Sequence, residues 1–206
     1  MRDLKGYLLI MAAATFWGCS ATAAKFLLNQ DVDTILIVQT RVGFSALLLL
    51  LFYLLFKPHL LRVKQSDLWR FALLGVLGVA GSNFTYYFTI KGSTVATAII
   101  LQYTAPIFVM GYAAVSKEEE ITSLKVVACV VSLLGCFLAV GGYHAGVLTL
   151  SPGTLISGIG SMVTFSFLII YTRHILKLYS VWTVTFYAIA FASVFWLFVN
   201  PPWTIV

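Results

Sequence analysis

The stretch Ala98-Ile-Ile-Leu-Gln-Tyr-Thr-Ala-Pro-Ile-Phe-Val-Met-Gly111 lies inside a long apolar run of the chain. Pro106 has no backbone N–H, and in a regular helix its ring would clash with the carbonyl of Gln102, four residues earlier. Three polar side chains precede the proline, at positions 102–104. We therefore predict a helix that is kinked near its middle, with the polar residues at the kink.

The composition indicates the solvent that surrounds this stretch. The chain has 206 residues, of which 61% are hydrophobic and 10% are charged, and its mean hydropathy is +0.98. A soluble domain carries about 25% charged residues, so this chain has too few to cover a surface in water. The composition predicts a multi-pass protein of the cell (plasma or inner) membrane, with the lipid bilayer as its surroundings. Its formal charge of +6 reflects membrane topology, and no nucleic-acid partner is predicted.

Seven apolar segments are long enough to cross about 30 Å of hydrocarbon as helices. They comprise residues 4–28, 34–56, 68–91, 93–116, 122–142, 152–173 and 181–199. Because period-two alternation is absent from them, the predicted fold class is an all-α integral membrane protein. The residues predicted to cap helices are Asp67, Thr122, Ser151 and Ser180.

The third and fourth segments are separated by almost no polar sequence, which predicts a tight antiparallel pair. The third segment carries the small residues Gly75, Gly78, Gly81 and Ser82. Small residues let helix backbones approach closely in lipid, where no hydrophobic effect drives association. We expect these residues to serve packing, by easing the approach of the third segment to the fourth.

The distribution of basic residues predicts the orientation of the chain. With a cytoplasmic N-terminus, ten of the thirteen Lys and Arg residues lie on the inside. These ten are Arg2, Lys5, Lys57, Arg62, Lys64, Arg70, Lys117, Lys125, Arg173 and Lys177. The outer side then has only Lys25 and Lys91, both at helix ends, and the opposite orientation would reverse this bias.

The sequence also contains a weak internal repeat. Residues 6–28 and 153–176 each begin with a glycine. The first copy closes with Lys25-Phe-Leu-Leu and the second with Arg173-His-Ile-Leu, and the starts of the two copies are five helical segments apart. Because five is odd, the second copy would be inserted in the opposite orientation. Inverted repeats of this kind are typical of secondary transporters, which bind substrate at the repeat interface.

Several motifs resemble the EamA-type family of the drug/metabolite transporter (DMT) superfamily. They lie at residues 13–18 (AATFWG), 83–87 (NFTYY), 101–107 (LQYTAPI) and 120–125 (EITSLK). The resemblance implies ten helices in two inverted five-helix repeats, cytoplasmic termini and export of amino acids or other small metabolites. It divides the chain into a first repeat, residues 1–142, and two helices of an incomplete second repeat, residues 143–206. We expect the sequence to be a C-terminally truncated part of such a carrier.

The polar cluster and the resemblance together favour a substrate-facing kink over a kink that serves packing alone. The residues predicted to line a central substrate cavity are Trp17, Asn83, Tyr87, Gln102, Tyr103, Thr104 and Pro106. Lys25, Arg41 and Lys91 are predicted to make the outer vestibule positive, which would suit an anionic group on a small-molecule substrate. The alternatives are snorkelling to the interface for the two lysines, and an ion pair or helix-end contact for Arg41.

The acidic residues restrict the mechanism, since all of them lie outside the seven segments. They are Asp3, Asp31, Asp33, Asp67, Glu118, Glu119 and Glu120. Proton-coupled carriers commonly use membrane carboxylates. We therefore expect facilitated or exchange-driven movement, unless further helices supply a carboxylate.

Two other classes are weaker alternatives. A membrane-embedded enzyme needs His, Asp or Glu clusters within the bilayer, and a receptor-like retinal protein needs a Lys in its last helix; the segments have neither. The cysteines Cys19, Cys129 and Cys136 have no metal-ligand spacing. We predict no enzymatic activity, no metal and no cofactor, and the oligomeric state, including a homodimer, stays open.

Overall fold

A computed structural model describes residues 2–117, 120–139 and 150–201 of the chain. These residues are mostly helical and contain no strand, which confirms the predicted all-helical class. We number the helices α1 (Arg2–Leu28), α2 (Thr34–Phe56), α3 (Gln65–Gly92), α4 (Val95–Val115), α5 (Ser123–Ala139), α6 (Pro152–Ile175) and α7 (Val181–Val199). A short 3-10 turn, Pro58–Leu61, lies between α2 and α3.

Among the described residues, six helices are long and apolar enough to cross a membrane, over Gly6–Leu28 of α1 and over α2, α3, α4, α6 and α7. The fifth predicted segment corresponds to α5, an apolar helix of 17 residues. Its predicted extension to residue 142 lies outside the described residues, as do the proposed repeat boundary at residues 142–143 and the carboxylates Glu118 and Glu119. The described helices otherwise match the segments predicted from hydropathy to within a few residues.

Three of the four predicted caps are present. The hydroxyls of Ser151 and Ser180 each accept a hydrogen bond from a backbone N–H in the first turn, at 3.2 Å. The Thr122 hydroxyl accepts from the Lys125 N–H at 3.4 Å. The prediction for Asp67 was wrong, because its side chain makes no cap hydrogen bond. Its carboxylate instead accepts a hydrogen bond from the Tyr179 hydroxyl at 2.7 Å.

Helix α3 lies at the centre of the described bundle. It packs against α2, α4, α6 and α7, whereas the main contacts of α1 are with the C-terminal half of α3 and the first half of α4. A buried cluster that includes Val38, Tyr87 and Ala192 joins α2, α3 and α7. A second cluster, including Phe71, Ile175 and Val184, joins α3 to α6 and α7.

The middle of α3, Leu74–Ala80, is a π-helix, which the sequence did not predict. A Cβ atom on Gly75 would lie 2.7 Å from the Ala188 carbonyl oxygen of α7. A Cβ atom on Gly78 would lie 3.0 Å from Leu168 of α6, and Gly81 faces Thr164 of α6. The packing role expected for the glycines is confirmed, but the predicted partner was wrong: they admit α6 and α7 rather than α4. The tight connection from α3 to α4 is present, with only Ser93 and Thr94 between the two helices.

Candidate functional site

Helix α4 is interrupted within residues 98–111, the stretch that contains Pro106. Its first half, Val95–Gln102, and its second half, Ala105–Val115, are separated by Tyr103 and Thr104. Pro106 falls in the first turn of the second half, where a missing N–H costs no helical hydrogen bond. The Thr104 hydroxyl donates to the Leu101 carbonyl oxygen at 2.6 Å. The predicted kink is therefore an interruption, because the proline starts a new half-helix instead of bending a continuous one.

The Gln102 side chain joins three helices at this interruption. Its Nε2 donates to the Ser161 hydroxyl of α6 at 2.9 Å and to the Ser82 hydroxyl of α3 at 3.3 Å. On the other side of the interruption, the Ser166 hydroxyl of α6 donates to the Ala105 carbonyl oxygen at 3.4 Å. Polar groups in hydrocarbon are costly unless they are paired. Helix α6 thus supplies hydrogen-bond partners on both sides of the interruption.

A cavity of about 520 Å³ opens beside the interruption, between α4, α5 and α6. Tyr103 and Pro106 belong to its lining. Most of its wall is apolar, from Val109, Met110, Ala113, Ala128, Cys129, Leu133, Cys136 and Ile169. Of its charged lining residues, Glu120 precedes α5, Lys125 lies in the first turn of α5, and Arg173 lies in the last turn of α6. The cavity has the size of a small-molecule site, in the usual range of about 300–1,000 Å³.

Arg41 and Tyr87 form a second polar group, between α2 and α3. The Arg41 Nη1 donates to the Tyr87 hydroxyl, and its Cζ lies 5.5 Å from the centre of the Tyr87 ring. The Tyr86 ring lies 5.4 Å from the Tyr87 ring. Among the described residues, no carboxylate lies within ion-pair distance of Arg41. The ion pair between Arg70 and Asp67 lies elsewhere, at the start of α3. A phenol hydroxyl accepts a hydrogen bond from an arginine but does not balance its positive charge. An arginine with this partner in a membrane helix can therefore still bind an anionic group.

Lys25 has a specific role at the end of α3. Its Nζ donates to the carbonyl oxygens of Ser93 at 2.7 Å and Ile90 at 2.9 Å. These are carbonyls at a helix C-terminus, where a positive charge is favourable. Lys91 is exposed at the same helix end. Of the three predicted vestibule charges, Lys25 is therefore already bound to backbone, and Arg41 is bound to a tyrosine.

The other predicted site residues are not all gathered in one place. The Asn83 side chain donates to the Val79 carbonyl oxygen of its own helix, at 2.7 Å. Trp17 is 61% exposed on α1, whose buried positions, Ala21, Ala24 and Leu28, lie closer to its C-terminal end. Gln102, Tyr103, Thr104 and Pro106 lie together at the interruption of α4, and Tyr87 lies with Arg41.

A ladder of hydroxyl groups between α3 and α6 was not predicted from the sequence. Thr89 pairs with Ser157 at 2.9 Å, Thr85 with Thr164 at 3.5 Å, and the Thr154 hydroxyl donates to the Gly92 carbonyl oxygen at 3.5 Å. Ser82 and Ser161 extend the ladder to Gln102. A signal was present, since Ser and Thr recur on α6 at 154, 157, 161 and 164, every three or four residues along one face.

The comparisons with known proteins agree with this architecture. Residues 4–141 match the model of the EamA-like transporter family. The match covers more than half of the chain, so the chain belongs to this family, as the sequence motifs predicted. Together with the apolar helices, this makes it a multi-pass membrane protein.

The relatives that the chain matches are themselves uncharacterized. An uncharacterized inner membrane transporter YicL of Salmonella typhimurium is 24% identical over 192 residues, which are 92% of this chain and 64% of the relative. Uncharacterized transporters of Clostridium kluyveri and Archaeoglobus fulgidus are 26% and 28% identical, over 76% and 91% of this chain and 48% and 63% of theirs. The chain spans about half to two thirds of the length of these relatives. No solved structure is significantly similar to it.

Proposed function

We propose that the protein is a secondary transporter that exports small metabolites, such as amino acids, by alternating access. The observation that carries the proposal is the interruption of α4, whose ends are hydrogen-bonded to α6 and which lies beside a cavity of about 520 Å³. Interrupted membrane helices are typical of carrier binding sites, because their unpaired backbone groups must face protein or a cavity. Membership of a transporter family supports this interpretation.

In this proposal the substrate contacts the interruption from the cavity side. Tyr103 and Pro106 line the cavity, and Thr104 and Gln102 flank the same break. The Gln102 Nε2 is used by Ser82 and Ser161, while its Oε1 accepts no hydrogen bond from the described residues. In this proposal, that oxygen accepts a hydrogen bond from a donor on the substrate. Trp17, Asn83 and Tyr87 complete the proposed pathway toward the outer side.

Arg41 is the vestibule charge best suited to meet an anionic group of the substrate. Lys25 already donates to two carbonyl oxygens, whereas Arg41 has a phenol and no carboxylate as its described partner. A substrate carboxylate would therefore compensate a charge that the described helices leave without a counterion. Lys91, exposed at the outer end of α3, would add to the attraction.

The positions of the carboxylates support a proposal for the coupling mechanism. The described ones flank the helices or begin them: Asp33 caps α2, Asp67 precedes the first regular turn of α3, and Glu120 precedes α5. We propose facilitated or exchange-driven movement in this part of the protein, without a membrane carboxylate as proton relay. The family match over residues 4–141 supports a first five-helix repeat at residues 1–142, with residues 143–206 starting a second.

Exchange in proteoliposomes tests the function directly. The protein, expressed from its complete gene, is reconstituted into vesicles loaded with unlabelled amino acids, and entry of the same labelled compounds is measured. We expect internal substrate to accelerate entry. Pro106→Ala should slow this exchange by restoring a continuous α4, whereas Pro152→Ala, at the start of α6, should leave it unchanged. Folded protein that shows no acceleration with amino acids or other small metabolites would contradict the proposal.

A further inference from the structure

A second cavity lies at the opposite end of the helices from Lys25 and Lys91. It measures about 400 Å³ and is lined by Arg62, Val63, Lys64, Asp67, Leu178 and Tyr179. The first three of these residues belong to the connection between α2 and α3, Asp67 belongs to the first turn of α3, and the last two belong to the connection between α6 and α7. The cavity therefore forms only where two connections distant in sequence meet.

Side-chain contacts hold these two connections together. The Tyr187 hydroxyl donates to the Leu61 carbonyl oxygen at 2.7 Å, and the Thr183 hydroxyl donates to that of Leu60 at 3.0 Å. The backbone N–H of Lys64 donates to the Tyr179 hydroxyl at 3.2 Å. The loop that carries the basic residues is thus fixed on the bundle, so their positions are set before any ligand arrives.

The charges in the cavity are not balanced. Arg62 and Lys64 are both exposed, and their side chains have no carboxylate partner among the described residues. Asp67 is already used, since it accepts from the Tyr179 hydroxyl at 2.7 Å and lies 3.6 Å from the Arg70 Nε. The hydrogen bond to Asp67 also raises the pKa of Tyr179, which keeps this phenol neutral. Two cations therefore face the cavity against one carboxylate that is occupied.

The cavity lies at the ends of four helices that are long and apolar enough to cross a membrane, which is where a membrane–water interface is expected. The ends of α2 and α6 and the starts of α3 and α7 surround it. Trp69 is exposed one turn away, with the Arg70 Cζ 5.6 Å from its ring centre. Tryptophan is enriched at the headgroup level of membranes. Val63 and Leu178 provide apolar contact beside the cations, and Leu178 is 55% exposed.

We propose that this cavity binds the phosphate headgroup of an anionic phospholipid from the adjoining leaflet. The guanidinium of Arg62 matches a phosphate with two parallel N–H donors, and Lys64 adds a point charge. The neighbouring apolar side chains contact the first carbons of the acyl chains. Basic pockets between membrane helices bind anionic headgroups in this way. The site is separate from the interruption of α4, and its occupancy does not depend on the proposed transport.

Lipid retention in native mass spectrometry tests the proposal. The detergent-solubilised protein is titrated with phosphatidylglycerol, with phosphatidylcholine and with glycerol 3-phosphate, which has the phosphate but no acyl chains. We expect preferential retention of phosphatidylglycerol. The double variant Arg62→Gln/Lys64→Gln should weaken it by about tenfold, since each cation near an anionic headgroup contributes several-fold. Arg62→Lys, which keeps the charge and tests the geometry, should weaken it less.

The matched control removes two other basic residues from the same end of the protein. Lys57 and Lys177 are exposed and lie outside the cavity lining, so Lys57→Gln/Lys177→Gln changes the net charge equally. Unchanged retention in this control supports a defined site. If both double variants lose phosphatidylglycerol retention equally, the retention depends on overall charge, and the proposal of a defined site is wrong. Glycerol 3-phosphate binding as tightly as the lipid would overturn the lipid assignment.

Discussion

Gln102 forms side-chain contacts that depend on the arrangement of three helices. Its amide reaches Ser82, twenty positions earlier, and Ser161, fifty-nine positions later. The two serines belong to α3 and α6, and the amide belongs to α4 directly before its interruption. A single side chain thus connects the break with both helices that pack on it.

Replacing Gln102 with Leu should reduce transport and stability together. The variant loses two hydrogen bonds within the membrane, worth about 1–2 kcal/mol, which corresponds to about a five- to thirtyfold change in an equilibrium. We expect the exchange rate in proteoliposomes to decrease by about five- to thirtyfold at matched protein density. Thermal unfolding, followed by size-exclusion chromatography, should show a small loss of stability.

Gln39→Leu separates the two effects. Gln39 is buried and also hydrogen-bonds between helices, because its Nε2 donates to the Asn200 carbonyl oxygen at 2.9 Å. It lies far from the interruption of α4, at the junction of α2 and the end of α7. If Gln39→Leu loses a similar amount of stability but exchanges substrate at the normal rate, the slower exchange of Gln102→Leu reflects a role of Gln102 in transport. Equal exchange in both variants would reduce Gln102 to a packing residue.

At the scale of elements, α3 sets how closely the other helices approach. Its π-helical middle presents Gly75 to α7 and Gly78 to α6. A Cβ on Gly75 would lie 2.7 Å from both the Ala188 carbonyl oxygen and the Phe191 Cβ, and 3.0 Å from the Ala192 nitrogen. Two of these atoms are backbone, so a side chain cannot be accommodated by a rotamer change.

Gly75→Ala should therefore separate α3 from α7 and destabilise the protein by about 1–3 kcal/mol, the usual cost of overpacking. Gly111→Ala in α4 is the matched control, because a Cβ there meets no atom within 4 Å. The melting temperature in detergent measures both. An unchanged value for Gly75→Ala would mean that the two helices are not in close contact in solution.

At the scale of the whole molecule, the positive-inside bias predicts a cytoplasmic N-terminus, and single cysteines test this orientation. Gln30, between α1 and α2, should react with an impermeant thiol reagent in intact cells, and Gln65, at the start of α3, should not. Both residues are exposed. Gln30 is preferred to its neighbour Asp31, whose φ of 59° lies in the left-handed region.

The three native cysteines, Cys19, Cys129 and Cys136, are first replaced by alanine, because none is buried. After the cells are opened, the Gln65 position should react as well, which shows that it is accessible. Labelling of Gln65→Cys in intact cells, without labelling of Gln30→Cys, would reverse the orientation.

The sequence by itself determined the class of protein, the family and nearly all helix bounds. The hydropathy of a segment of about twenty residues can be calculated from that segment alone. Because unpaired backbone groups are costly in lipid, such a segment forms a helix, in which its backbone groups are hydrogen-bonded to one another. The ends of α1 at Leu28 and of α2 at Phe56 could therefore be read directly from the chain. The break at Pro106 was located for the same reason, since proline acts on its own turn.

Only the tertiary structure decided which partners these residues have. The sequence predicted Lys25 at a helix end, but its donation to the Ile90 and Ser93 carbonyl oxygens depends on how α1 packs against α3. Likewise, the ladder of hydroxyls required α6 to be rotated so that Ser157 and Ser161 face α3 and α4. Sequence periodicity defines a face of a helix without defining what that face meets. Contacts between residues sixty positions apart depend on helix rotation and spacing, which the packing of the glycines of α3 determines.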